Sequence, residues 1–167
     1  MKFRIAAVLT TAAAALMSVA STVPAQAIEY VSDTCNYTDK SYCFGIFYNS
    51  TQVGGVSTSP CYLSSQQIED HWGVSSPNGN IIALYQFGYS NQDVRSNLGG
   101  SHCEWATGSG QGLKNNAASV VNGDAWASYT VYYNSYFNGT AQTFDPNSNG
   151  NLIARLHNNN ASHRRNG

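Results

Sequence analysis

Acid–base chemistry needs a histidine or carboxylate within hydrogen-bond reach of a reacting group, and the chain gathers such residues twice: Glu69, Asp70 and His71 in one run, His102 and Glu104 in another. Neither run sits in a motif that completes a catalytic constellation. No Gly-x-Ser-x-Gly turn offers an activated serine, and no His-Glu-x-x-His helix offers a metal. Ser101-His102 and Ser162-His163 are adjacent in sequence, which in a strand sends the two side chains to opposite faces. These residues read as belonging to a protein without catalysis, with each histidine in a turn or in solvent.

Cys35, Cys43, Cys61 and Cys103 are the four cysteines, an even count that reads as a disulfide framework in a small exported chain. Three connectivities exist. The short gap favours Cys35 with Cys43, which leaves Cys61 with Cys103. Metal ligation by these thiols with His71 and His102 is the alternative, but no Cys-x-x-Cys spacing occurs. Export follows from residues 1–27. Lys2 and Arg4 begin them, an apolar run from Ile5 to Ala20 follows, and Ala25-Gln26-Ala27 forms a cleavage site.

Cleavage there leaves one domain, 28–167, with three more acidic than basic residues. No later run is long and apolar enough to span a bilayer, and apart from Arg164 and Arg165 no basic cluster tracks phosphates. The expected species is a secreted monomer with no cofactor, no membrane partner and no nucleic acid.

The elements that must position these residues are strands. Tyrosine is abundant, charged residues make up only 10%, and Gly, Asn, Ser and Pro clusters punctuate the chain. Strands are predicted at Tyr42–Asn49, Asn80–Tyr89, Ser119–Asn122, Ala127–Asn134, Thr140–Phe144 and Leu152–Leu156, with one brief helix at Ser65–His71. They are organised by an internal repeat. Leu113-Lys114-Asn115-Asn116-Ala117-Ala118-Ser119 returns as Leu156-His157-Asn158-Asn159-Asn160-Ala161-Ser162. Phe47-Tyr48-Asn49-Ser50 likewise returns as Tyr132-Tyr133-Asn134-Ser135, each with a glycine at equal distance, Gly54 and Gly139. Each unit opens with an aromatic hairpin and closes with an Asn-Asn-x-x-Ser turn.

The aromatic-x4-aromatic-x-Gly hairpin (Tyr132, Phe137, Gly139) and the closing Asn-Asn-x-x-Ser turn resemble the βγ-crystallin Greek-key motif. With the leader, the cysteine-bearing first hairpin and the terminal Asn-Asn-Asn-Ala-Ser-His, the chain resembles secreted actinobacterial proteins of peptidase inhibitor family I36. The resemblance covers 105–165 and 35–57. It implies an all-β, disulfide-stabilised, βγ-crystallin-like Greek-key sandwich of two unequal repeats, the first about 35–122 with an insertion about 58–104, the second about 126–165. The insertion, which holds His71, Trp72, His102, Glu104 and Trp105, is either where function resides or a surface elaboration.

Family membership implies inhibition of a secreted peptidase, a metalloproteinase by type. An inhibitor needs a rigid exposed loop, so that little ordering entropy is lost on binding. Ser59-Pro60-Cys61-Tyr62 is the expected loop, stiffened by Pro60 and anchored by Cys61; no cysteine follows Cys103 to build the family's later disulfide-bearing loop. The βγ-crystallin resemblance also implies two calcium sites, one from Asn115, Asn116 and Ser119 and one from Asn158, Asn159 and Ser162. Val120 and His163 replace the final Ser of that motif and both phrases carry neutral Asn, so the expected affinity is weak. The same turns also serve simply to close the keys by hydrogen bonds. Polysaccharide binding through exposed aromatic rings, and a killer-toxin role, are the other readings of a secreted Greek-key protein.

Overall fold

The computed structural model describes residues 26–36, 43–52, 55–78, 81–90, 94 and 100–167. The leader expected at 1–27 lies outside them except for Gln26 and Ala27, as do Val53 and Gly54 of the first hairpin. Among the described residues the chain is all β. In chain order its strands are β1 (Ala27–Val31), β2 (Asp33–Thr34), β3 (Phe44–Phe47), β4 (Thr58–Ser59), β5 (Cys61–Ser64), β6 (Gly73–Ser75), β7 (Ile81–Tyr85), β8 (His102–Cys103), β9 (Ser119–Asn122), β10 (Ser128–Asn134), β11 (Asn138–Phe144), β12 (Ser148–Asn151) and β13 (Ser162–Asn166).

Two sheets face each other. One runs β12-β9-β3-β5-β2 and the other β11-β10-β13. β12 belongs to the second repeat yet pairs with β9 of the first; conversely, Ile68 of the first repeat bridges His163 in β13. Each repeat therefore lends its third strand to the other's sheet, which welds the two Greek keys into one sandwich.

Equivalent residues meet between the sheets. Phe44 and Tyr129 occupy matching positions in β3 and β10 and stack with centroids 4.4 Å apart. The closing turns exchange matching bonds: Asn115 N–H donates to Asn160 O and Asn158 N–H to Ala117 O, both at 2.8 Å. Asn115 and Asn158 both take the left-handed backbone conformation, at φ 63° and 57°, which asparagine tolerates.

The period of two in β3, β5 and β9 builds two clusters rather than one. Phe44, Ile46, Tyr62 and Val120 point between the sheets, while Phe47, Cys61, Leu63 and Val121 point outward and are covered by Cys35, Cys43, Val94 and Cys103. The cover lies close enough that a Cβ on Gly45 would come within 3.2 Å of Val94. The bridges are Cys35–Cys43 and Cys61–Cys103, with Cα atoms 5.8 and 5.1 Å apart.

Three expectations change. Residues 65–71 are extended instead of helical: Ile68 exchanges backbone hydrogen bonds with His163 at 2.8 and 3.0 Å, and His71 N–H donates to Ala161 O. Leu152–Leu156 is a turn, not a strand. Leu156 and His157 N–H both donate to Ile153 O, and Leu152 and Leu156, four residues apart as on a helical turn, are both buried. The preceding strand is the polar β12. Lastly, β5 and residues 66–71 are parts of the first key itself, so the extra chain begins at Trp72 and ends near residue 112, not at 58–104. It contributes β6 and β7, which form a small sheet with β1 in the order β1-β7-β6, and β8, which pairs with β4.

Candidate functional site

The chain leaves the first key at a sharp turn. Asp70 caps it, with Oδ1 accepting the Trp72 N–H at 2.9 Å and its carbonyl accepting the Gly73 N–H at 3.2 Å. Gly73 has φ +142°, and a Cβ there would lie 2.0 Å from Ala83 O, so no other residue fits. The turn holds Trp72 above the sandwich, half exposed, with a cleft on each side. The smaller, about 270 Å³, is lined by Tyr30, Trp72, Leu84, Tyr85 and Lys114, with His71 at its base. The larger, about 450 Å³, lies between Trp72, Tyr85 and Tyr136, with Gln67, Glu69 and Asp70 along its wall.

Tyr136 is 72% exposed at the rim and sits, like its neighbour Phe137, in left-handed backbone, φ 58° and 60°. Tyr136 N–H donates to Glu69 O at 2.7 Å and Phe137 N–H to Ser162 Oγ at 3.1 Å, which hold the hairpin tip in this costly shape beside the cleft.

The charges here are balanced. Lys114 Nζ lies 2.9 Å from Asp70 Oδ1 and 2.9 Å from Ser135 Oγ. Partial burial pushes the Asp70 carboxyl upward, but the Trp72 N–H, Lys114 and Ser135 outweigh it and hold it below the usual range. Burial raises the Tyr85 hydroxyl. Asp70 thus stays ionised and neutralises Lys114, leaving aromatic faces and the exposed Gln67 and Glu69 to meet a ligand.

His71 and His163, expected in turns or solvent, are both completely buried. His71 Nε2 lies 2.8 Å from His163 Nδ1, and Asn160 Nδ2 lies 2.8 Å from His71 Nδ1. Burial, then the neighbouring ring, hold His71 well below its ordinary value; burial holds His163 down to about 4, against the opposing hydrogen bond to Gln66 O. The signal was present in the repeat, where Asn160 aligns with Ala117 and His163 with Val120: polar residues at positions that the first copy fills with apolar ones. His102 and Glu104 do meet, at 2.7 Å on the surface, far in sequence from the Trp72 turn.

The segment expected as an inhibitory loop is core. Ser59, Pro60, Cys61 and Tyr62 are all buried; Tyr62 OH bonds Thr34 Oγ1 at 2.9 Å, and Cys61 exchanges backbone bonds with Gly88. This is the return strand of the first hairpin, paired with β3, so it presents nothing to a peptidase cleft.

The residues expected around calcium are drawn together in part. Asn115 and Asn159 line a recess of about 220 Å³ with Asn134 and Lys114. Ser119 and Ser162 instead turn back to their hairpins and donate to Asn49 O and Asn134 O, each at 2.7 Å. Asn116 donates to Gly112 O, and Asn158 serves through its backbone. No group of three or more His, Cys, Asp or Glu is placed to hold a metal among the described residues.

The bridges form in an oxidising compartment, and no helix among the described residues is long and apolar enough to cross a membrane. No protein-family model and no curated protein matches the chain. Among solved structures, one described as "Evolution of the eye lens beta-gamma-crystallin domain fold" is similar, with 12% identity, 74% of this chain and 83% of that one covered, and a TM-score of 0.43. On the strand order, the exchanged third strands and the paired closing turns, the chain is a βγ-crystallin-like Greek-key sandwich of two unequal repeats.

Proposed function

We propose that this protein is a secreted, non-catalytic glycan-binding domain that takes a polysaccharide chain across Trp72. The observation that carries the reading is the Trp72 platform itself: an indole held by a rigid turn between two clefts, with Tyr30, Tyr85 and Tyr136 around it. Flat aromatic faces stack on the apolar faces of sugar rings, and the Gln67 amide and Glu69 carboxylate at the rim bond hydroxyls. All three tryptophans of the chain are exposed, while Phe, Tyr and Leu fill the core, a distribution that favours a surface role for the indoles.

Catalysis is disfavoured because His71 is committed to Asn160 and His163 and Asp70 to Lys114, which among the described residues leaves Glu69 as a lone carboxylate at the cleft without an acid–base partner. Retention on insoluble chitin, cellulose and xylan is the test. A ligand covering about 80 Å² of the indole gains about 2 kcal/mol, so Trp72→Ala should weaken retention about 30-fold, while Trp105→Ala leaves it within about twofold. Equal retention of Trp72→Ala and wild type, or retention on none of these polymers, would sink the reading.

A further inference from the structure

Beneath the smaller cleft His71 belongs to a hydrogen-bonded circuit whose partners permit one arrangement of protons. Gln66 O only accepts, so His163 carries its proton on Nε2, 3.0 Å away, and presents a bare Nδ1. That nitrogen takes the Nε2–H of His71, whose own bare Nδ1 accepts from Asn160 Nδ2. The second Asn160 N–H goes to Leu113 O at 2.8 Å, and its Oδ1 accepts the N–H of Asn116 at 3.1 Å and of Ala117 at 2.9 Å. With both rings neutral every donor meets an acceptor. An added proton on either bare nitrogen would face an N–H.

The circuit ties together residues 66–71, β13 and the closing turn of the first key, and Trp72 is the next residue along the chain from His71. The sandwich does not require it: the matching positions of the first key are Ala117 and Val120, buried and apolar. Resting on the glycan reading of this cleft, we propose that the His71–His163 couple is an acid-triggered release for it: a proton taken up by the couple breaks the chain from Asn160 to Gln66, loosens residues 66–71 from β13 and shifts Trp72, so that ligand is held near neutrality and let go in mild acid.

Of the groups facing the couple, the Asn160 backbone at His71 and the Gln66 carbonyl at His163 favour its protonation, and burial outweighs both. From the closing turn Lys114 acts on His71 and, like burial, opposes its protonation. On the segment that bears His71, Asp70 is engaged by Lys114 and Glu69 is exposed. From β10 the Tyr129 ring lies 6.0 Å from His163, its hydroxyl raised to about 12 and so neutral, and β3 contributes the uncharged Phe44 ring at 5.1 Å. On β13, Arg165 is paired with Asp124 and Arg164 lies over Phe137.

A Trp105→Phe/Trp126→Phe variant leaves Trp72 as the sole indole. Its emission and acrylamide quenching, followed from pH 7.5 to 4, should step between about pH 6 and 4 while the far-ultraviolet circular dichroism stays constant. His71→Leu/His163→Val, built into the same background, should abolish the step. That pair retains most of the local bonding, since Gln66 O keeps Ser64 Oγ–H at 2.6 Å and Asn160 keeps Leu113 O. Wild-type retention on the bound polymer should fall tenfold or more from pH 7 to 4.5, and that of the double variant less than twofold.

Nitrogen-15 shifts of the imidazoles in unmutated protein need no variant: both rings should be neutral Nε2–H tautomers at pH 7 and titrate together with the Trp72 indole signal. A flat Trp72 signal, a step that survives in the double variant, a step that coincides with global unfolding, or imidazoles titrating independently near 6.5 would each overturn the proposal. A Trp72 step in protein that binds no polysaccharide would uphold the acid response while refuting the glycan reading; pH-independent retention at Trp72 would do the reverse.

Discussion

In the first key β3, β5 and β9 are buried along their whole length, whereas in the second β10 is buried only over residues 129–131 and β11 only at Phe144. The repeats share a hairpin, a closing turn and the hydroxyl that joins them, so this difference does not come from the Greek key. It comes from the cover. Two disulfides and Val94 pack on the outer face of the first sheet, and the chain from Trp72 to about residue 112 reaches the sandwich where Gly88 bridges Cys61 of β5. Burial on both faces makes the first key a rigid platform. The second key keeps a wet outer face and carries the polar substitutions, Asn160 and His163, that bond to His71 beneath the cleft. Function is expected where the two regimes adjoin, and Trp72 stands there.

The cover is the easiest part of this contrast to break. Closing the loop between Cys61 and Cys103, 42 residues apart, stabilises by about 4 kcal/mol in the chain-entropy account, against about 2.6 kcal/mol for Cys35 and Cys43, 8 apart. Cys61→Ala/Cys103→Ala should therefore lower the urea midpoint more than Cys35→Ala/Cys43→Ala. Hydrogen exchange should rise in β3, β5 and β9 before β10 and β11. Faster exchange in the second key first would show that the cover is not what stabilises the first.

The buried couple gives the next largest effect, and it belongs to the second key alone. Both imidazoles are held low by burial, so between pH 6.5 and about 4 the unfolded chain binds more protons than the folded one. Their contribution is fully present above pH 6.5 and is lost as the pH falls toward 4. His163 alone accounts for about 3 kcal/mol over that window at 1.36 kcal/mol per unit. Urea unfolding at pH 7.5 and 4.5 measures it, and His71→Leu/His163→Val should flatten the dependence.

How far the sequence discloses this architecture varies with the range of the interactions. The closing turns are legible because their geometry is local: an asparagine in left-handed backbone and a serine bonded to its hairpin leave the same phrase at Asn115 to Ser119 and Asn158 to Ser162. The third strand of the first key is not, since residues 66–71 are polar, short and paired only at Ile68, and nothing local distinguishes them from a helical turn. Ser59 to Tyr62 misleads for a related reason. Period two tells which residues share a face but not whether a distant segment covers the other, and here Phe47, Leu63 and the Cys61–Cys103 bridge bury both. Of the candidate site, Trp72 and His71 stand out where the extra chain departs from the first key, yet the burial of His71 depends on His163, 92 residues away.

The closing serines sharpen the comparison at smaller scale. Ser119 Oγ donates to Asn49 O and lies 3.3 Å from Ser57 Oγ; Ser162 Oγ donates to Asn134 O and also accepts the Phe137 N–H, which fixes the strained hairpin tip. Ser162→Ala should cost about 2 kcal/mol and Ser119→Ala about 1 kcal/mol, read as thermal midpoints. Equal losses would mean that the tip at Tyr136 and Phe137 is held by Glu69 without help from Ser162.

Calcium should produce the smallest effect, and its size discriminates between two roles for the turns. Lys114 shares the recess with Asn115 and Asn159, both serine hydroxyl protons are donated to carbonyls, and no carboxylate cluster is present among the described residues. A site with a dissociation constant of about 5 mM gains only about 0.1 kcal/mol at 1 mM calcium and about 1.4 kcal/mol at 50 mM. Turns that only close the keys gain nothing specific at either concentration. A thermal midpoint that rises with calcium and not with equal magnesium would assign the recess a weak ion-binding role, and Lys114→Gln should then strengthen it by removing the opposing charge; a midpoint unmoved to 50 mM in both proteins would leave the asparagines as backbone-shaping residues, there for their left-handed turns.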